Sequence, residues 1–359
     1  MDVGIIGLPG VGKTNIFNAL TGGHAGGAAS AAKPNVGIAQ VPDDRLKQIN
    51  TLIETQRVVP ATIKVTDVGG VAKGSGSGEG LGGKFLAFIR EVDALLEVVR
   101  CFESADVPHV EGSVDPVRDV DILQTELVFG DLETLTKNIE KQRKHARSGD
   151  KEALAAIATI EQVIPELEKG VPIRTMHLKP EQMKFIKTLG LLSDKKVLYI
   201  ANVGEDDVNG EGPLAQKLRE KVKAEGGAVL PVCAKLEAEL AQMSPADRAE
   251  MLAGLGMKEP ALSAVSREVY RLLGLQSFFT VGPDEIKAWT IAVGALAPQA
   301  AGAIHTDFEK GFIRAEVYHY NDLIEHKSET AIKHAGKMRA EGKNYVFKDG
   351  DIAHFLFNK

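Results

Sequence analysis

Hydrophobic positions in this chain recur with two different periods, and the switches between them mark out its elements. Residues Val3 to Ile6 are an unbroken apolar run, the pattern of a buried strand. The run breaks at Gly7-Leu8-Pro9-Gly10-Val11-Gly12-Lys13-Thr14, and Ile16, Phe17 and Leu20 then fall on one helical face. Strand patterns recur at 36–40, at 61–67 with strict alternation, at 94–100, at 195–203 and at 228–235. Helical patterns lie between them: one with Leu46, Ile49 and Leu52 behind Pro42-Asp43-Asp44, another over 84–91, and two more over 245–255 and 261–273. Strands alternating with helices predict an α/β domain around a mostly parallel sheet.

From about 119 to 170 the period becomes purely helical. Val128, Leu132, Leu135 and Ile139 form one stripe, and Leu154, Ile157, Ile160, Ile164 and Leu167 form a second after the break Ser148-Gly149-Asp150. Two helices joined by so short a turn predict an antiparallel hairpin inserted into the α/β domain. Residues 277 onward differ again. SFFTV and AWTIAV pair across a Gly-Pro-Asp turn, a helix is expected near 328–341, and short strands at 344–347 and 352–357, giving a small β sheet around one helix. The predicted division is 1–120 with 190–276 for the nucleotide-binding domain, 121–189 for the arm, and 277–359 for the C-terminal domain.

The loop after the first strand carries the clearest chemistry. Two glycines five positions apart, followed by Lys13 and Thr14 between a strand and a helix, form a P-loop. Behind Pro9, which shapes the turn, its backbone N–H groups from Gly10-Val11-Gly12 to Asn15 face a phosphate at the positive end of a helix. Lys13 is placed to reach the β- and γ-phosphates, and the Thr14 hydroxyl to ligate Mg²⁺. Asp67, closing the alternating strand, is the expected second magnesium residue, held through water. Gly70 offers an N–H to the γ-phosphate in the manner of a second switch. The Gly/Ala-rich stretch 21–35 reads equally as a first switch loop or as a flexible connector.

Composition narrows the partners. The chain has 359 residues, 44% of them hydrophobic, enough for more than one packed core. A formal charge of −6 argues against general coating of nucleic acid or anionic membranes and leaves only local basic faces. With Cys101 and Cys233 alone, no disulfide framework forms, which points to a reducing compartment. A first strand at residue 2 or 3 leaves no room for a leader, and no apolar run approaches membrane-spanning length. The expectation is a cytoplasmic protein.

The segments GLPGVGKTNIFNALTG, DVGGVAKGSGSGEGLGGKFLAFIREVDALLEVVRCFE, HVEGSVDPVRD, NVGE and AWTIAVGALAPQAAGAIHTDFEKGFIRAEV together resemble the Obg-like ATPase (YchF) family over essentially the whole chain. The resemblance implies a translation-factor-type G domain with an inserted helical arm and a C-terminal TGS domain of β-grasp fold. It also implies ATP hydrolysis and association with ribosomes and structured RNA. Guanine-specific relatives end the base-reading strand in Asn-Lys-x-Asp, whose carboxylate accepts from guanine N1–H and the 2-amino group. Here Asn202-Val203-Gly204-Glu205 lacks both the Lys and the Asp, which favours adenine, with Asn202, Val203, Glu205 and the turn Cys233-Ala234-Lys235 around the base. Val71 stands where Ras-like enzymes place a water-orienting Gln, and the resemblance points instead to His109.

The chain also departs from the family. Gly10 replaces an Asn associated with potassium, and Ala31 stands where a Thr closes on Mg²⁺, with Ser30 beside it. The Gly10 departure argues against potassium dependence, and the Ala31 departure against tight switch closure and for slow hydrolysis. Two other readings stay open, a nucleotide-gated scaffold with negligible turnover and a GTPase of relaxed base specificity. Two cationic clusters are candidate surfaces for the ribosome: Lys141, Arg143, Lys144, His145 and Arg147 at the arm's tip, and Lys333, Lys337 and Arg339 in the C-terminal domain.

Overall fold

The computed structural model describes residues 2–22, 34–67 and 83–358, without the Lys84 side chain. Gly70, Val71, Ser30, Ala31 and most of the glycine run 74–83 lie outside the described residues. The chain divides into two compact units, Met1–Gly37 with Lys64–Val265, and Ile38–Ile63 with Ser266–Lys359.

The first unit is built on a six-stranded sheet of order β2-β4-β1-β5-β6-β7. The strands are β1 (Asp2–Ile6), β2 (Asn35–Val41), β4 (Ala61–Asp67), β5 (Ala94–Arg100), β6 (Lys196–Asn202) and β7 (Ala228–Val232). β4, β1, β5, β6 and β7 pair in parallel. Every residue of β5 is buried, Glu97 and Arg100 among them, as befits a central parallel strand covered on both faces. Helices α1 (Lys13–Leu20), α3 (Gly83–Glu91), α7 (Pro213–Ala224), α8 (Ala234–Gln242), α9 (Pro245–Gly254) and α10 (Ala261–Leu272) belong to the same alternating pattern. Ile6, Phe85, Ile89, Leu95, Val99, Leu218 and Leu236 meet in one core.

The inserted arm is α4 (Pro116–Ala146) and α5 (Lys151–Glu168), with α6 (Pro180–Thr188) on its return. Asp115 and Asp150 cap the two long helices by accepting backbone N–H groups of their first turns. At 31 residues, α4 is roughly 46 Å long. Val128, Leu135, Ile139, Ile160 and Leu167 close the seam between the helices, as expected. Leu154 does not: it is 53% exposed, and the buried face of α5 runs instead through Ala153, Ala156, Ile160 and Val163. Reading large apolar residues alone rotated that stripe, because two alanines pack where the helices lie close. At the root, buried Asp131 accepts from the Leu192 and Ser193 amides at 2.7 and 2.8 Å and from Ser193 Oγ at 2.6 Å. These bonds fasten α4 to the returning chain.

The second unit carries a mixed sheet of order β11-β10-β12-β8-β9-β3. β8 (Leu275–Val281) and β9 (Glu285–Ala292) form the expected hairpin. β12 (Asp351–Phe357) lies parallel to β8 and antiparallel to β10 (Phe312–His319). β3 (Arg57–Val59), from the first half of the chain, adds a parallel edge to β9. Helix α2 (Asp44–Leu52), capped by Asp43, also belongs here. α11 (Ala297–Ile304), followed by the short α12 (Thr306–Lys310), covers an aromatic core of Phe278, Phe312, Phe347 and Phe355.

Two expectations for this unit fail. The helix expected over 328–341 is instead α13 (Tyr320–His326), α14 (Glu329–His334) and a short strand β11 (Arg339–Glu341). Gly336, at a left-handed φ of 68°, stops the last helix. Residues 344–347 contribute a single bridge, Leu296 to Val346, rather than a strand. Lys333, Lys337 and Arg339 therefore share no helical face. Arg339 donates to Glu341 and to the Tyr345 hydroxyl.

Candidate functional site

The P-loop folds as its spacing dictates. Gly12 takes a left-handed φ of 96° as the N-cap of α1, and a Cβ there would collide with Asn202 Nδ2. The Lys13 side chain turns back into the loop, its Nζ donating to the carbonyls of Gly7 at 2.8 Å and Leu8 at 2.7 Å. Pro9, Gly10, Thr14 and Asn15 are exposed, whereas Val11 is buried beneath them. The loop thus presents its backbone outward and anchors itself by an apolar side chain.

Thr14 and Asp67 come together from separate elements. Thr14 Oγ1, on the first turn of α1, donates to Asp67 Oδ2 at 3.2 Å, at the end of β4. A hydroxyl and a carboxylate converging beside a phosphate loop suit Mg²⁺, a hard cation usually bound by one or two protein oxygens plus phosphate and water. Among the described residues no group of three His, Cys, Asp or Glu side chains gathers to cage a metal alone.

The base-reading segment is tied to the P-loop by one side chain. Asn202 Nδ2 donates to Val11 O at 2.8 Å, and Asn202 Oδ1 accepts from the Ala234 amide at 3.1 Å. The P-loop, the NVGE segment and the turn at Cys233-Ala234-Lys235 are therefore braced at a single buried residue. Val203 is buried behind it, and the Val203 amide donates to Val232 O at 3.0 Å. Outside, Glu205 and Lys235 form an exposed ion pair at 2.6 Å. The carboxylate that replaces the guanine-reading Asp is thus already engaged by a lysine.

Both cysteines are free and buried. Burial pushes the Cys101 thiol up to about 12 and raises Cys233 as well, so neither is poised as a nucleophile. Cys101 contributes through its backbone, its amide donating to Asn202 O at 2.8 Å.

His109 lies away from open solvent, its side chain 3% exposed. Its Nδ1 accepts from the Glu111 amide at 3.1 Å, which places the proton on Nε2 facing Asp119 Oδ2 at 2.8 Å. Both ring nitrogens are engaged, so in this conformation His109 offers no atom to a water. Asp119, in the first turn of α4, is a partner that sequence reasoning missed. So is Arg100, which organises the loop between β5 and His109. The only signal for Arg100 was a charged residue closing an otherwise apolar strand.

Two family models match the chain. One, described as 50S ribosome-binding GTPase, matches residues 2–145. The other, YchF-GTPase_C, described as Protein of unknown function (DUF933), matches residues 275–358. The protein named Ribosome-binding ATPase YchF from Escherichia coli O157:H7 is 46% identical over 360 residues, 99% of this chain and 98% of that one. The protein of the same name from Bacillus subtilis is 43% identical over 367 residues, covering 100% and 99%. The solved structure of the Schizosaccharomyces pombe YchF GTPase superposes with a TM-score of 0.89 at 36% identity, covering 99% of this chain and 97% of that one. Similarity this strong along the whole length makes the chain a member of the YchF family.

Proposed function

We propose that this protein binds ATP in the P-loop site, hydrolyses it slowly, and works as a nucleotide switch on the ribosome. The observation that carries the reading is Asn202 bonding to both Val11 and Ala234, which joins the phosphate loop and the base-reading segment into one site. The relatives' name, ribosome-binding ATPase, agrees with it.

Lys13 leaves the Gly7 and Leu8 carbonyls to meet the β- and γ-phosphates, exchanging two neutral acceptors for charged ones. The backbone N–H groups from Gly10 to Asn15 cradle the same phosphates, as helix N-termini do for anions. Thr14 and, through water, Asp67 would hold Mg²⁺, which supplies charge neutralisation at the phosphates. Around the base, Asn202, Val203, Glu205 and the Cys233-Ala234-Lys235 turn form the adenine pocket. Glu205 paired to Lys235 cannot accept from a guanine edge without giving up that ion pair. Gly70, outside the described residues, is the proposed donor of an N–H to the γ-phosphate.

His109 positions the attacking water only after it leaves Asp119. The engaged imidazole favours a second reading, a nucleotide-gated scaffold with negligible turnover. Phosphate release measured with and without ribosomes separates the two. Slow intrinsic turnover that ribosomes accelerate supports the switch, and none under either condition supports the scaffold.

A further inference from the structure

Arg100 closes β5 and is 1% exposed, the largest fully buried side chain among the described residues. Burying a guanidinium is costly unless its N–H groups find acceptors. Here the acceptors are carbonyls of a single loop. Nε donates to Phe102 O at 3.0 Å, Nη1 to Val107 O at 2.7 Å, and Nη2 reaches Ser104 O at 3.5 Å. The guanidinium carbon also lies 4.6 Å from the centre of the Phe102 ring. Residues 102–107 thus wrap around one buried charge.

That loop touches both halves of the nucleotide site. At its start, the Cys101 amide donates to Asn202 O, and a Cβ built on Gly204 would lie 3.7 Å from Phe102 Cβ. At its far end, a Cβ on Gly10 would meet Val107 Cγ1 at 3.9 Å, and Val107 is 40% exposed there. One end rests on the base-reading segment and the other beside the phosphate loop. Loops of this length owe their shape to the bonds that satisfy their backbone, and here a single side chain supplies three of them.

We infer that Arg100 is a positioning residue for nucleotide recognition: it holds residues 102–107 as a wall of the ATP site, and so sets both affinity and the preference for adenine. This rests on the proposed ATP site. Arg100 need not touch the ligand, because it acts through Phe102 and Val107.

The test is calorimetric titration of the full chain and its Arg100→Gln and Arg100→Lys variants with ATP, GTP and inorganic triphosphate, with Mg²⁺ present. In Arg100→Gln, ATP affinity should fall by about tenfold or more and the ATP:GTP ratio should move toward unity. Inorganic triphosphate, which has no base to meet the wall, should lose much less. Arg100→Lys keeps the charge with fewer donors and should lie between. A merely stabilising arginine would lower the melting temperature and leave the ATP:GTP ratio unchanged, and that result overturns the inference. If neither variant folds, Arg100 is a folding residue and the positioning role is rejected. Failure of the wild-type protein to bind ATP would overturn the site itself, a result distinct from equal binding by wild type and variants.

Discussion

The Nε2 of His109 sits 2.8 Å from Asp119 Oδ2, so the histidine between β5 and the arm is fastened to the arm's first helical turn. With its other nitrogen held by the Glu111 amide, the ring reaches a substrate water only by breaking this bond. Asp119→Ala should therefore raise basal ATP hydrolysis severalfold, and His109→Ala should lower the ribosome-stimulated rate by about 10²-fold, the scale of water positioning by a side chain. The double variant should resemble His109→Ala. Steady-state phosphate release measures all three, and equal rates in wild type and both single variants would remove His109 from the mechanism.

Lys13 and Thr14 divide the phosphate chemistry. Lys13→Ala removes the cation aimed from within the loop and should abolish hydrolysis while the circular dichroism spectrum stays unchanged. Thr14→Ala removes the hydroxyl that now meets Asp67 and should chiefly raise the Mg²⁺ concentration needed for half-maximal activity. Wild-type turnover in either variant would place the site elsewhere.

These two residues were legible from the sequence because a P-loop is local: glycines, lysine and threonine lie within eight positions and act where they stand. The arm was legible for the same reason, its helical period running uninterrupted over many turns. What escaped the reading depends on distance in space. Asp119 lies ten residues from His109, and nothing in the spacing marks the two as partners. Arg100 looked like the end of a strand, because its acceptors are backbone carbonyls with no sequence signature. Leu154 was misplaced because the alanines that pack in its stead carry little hydrophobic signal. β3 escaped because three residues at a sheet edge carry no period.

The arm's tip is the proposed ribosomal contact. Arg143 is already paired with Glu140 at 2.9 Å and lies 3.5 Å from Glu161, while Lys141, Lys144 and Arg147 are exposed at the end of α4. Changing these three exposed cations to Gln should weaken co-sedimentation with ribosomes and flatten its salt dependence, because fewer counterions are released. ATP affinity should not change. Undiminished binding across a salt series would reject the tip as the contact.

Glu97, in the middle of β5, has a carboxyl pushed up to about 8 by burial, against the pull of the Arg174 guanidinium. Its Oε1 and Arg174 Nη1 have no hydrogen-bond partner among the described residues. Below the ordinary carboxylate range Glu97 is protonated in both the folded and the unfolded chain. As pH rises from there to about 8, the unfolded chain gives up this proton first, and stability falls by an amount on the order of a few kcal/mol. Glu97→Gln should flatten that fall and be more stable than wild type at pH 8. Melting temperatures from pH 5 to pH 9 measure it, and parallel curves for the two proteins would contradict it.

The preference for adenine is the centre of the account, since it rests on Val203 and Glu205 standing where the guanine-reading Lys and Asp would otherwise be. Isothermal titration of the full chain with ATP and with GTP, in the presence of Mg²⁺, tests it most directly. The account predicts that ATP binds at least about tenfold more tightly, a difference of about 1.4 kcal/mol. It further predicts that Val203→Lys combined with Glu205→Asp raises the affinity for GTP. Equal affinities of the wild-type protein for the two nucleotides would contradict it.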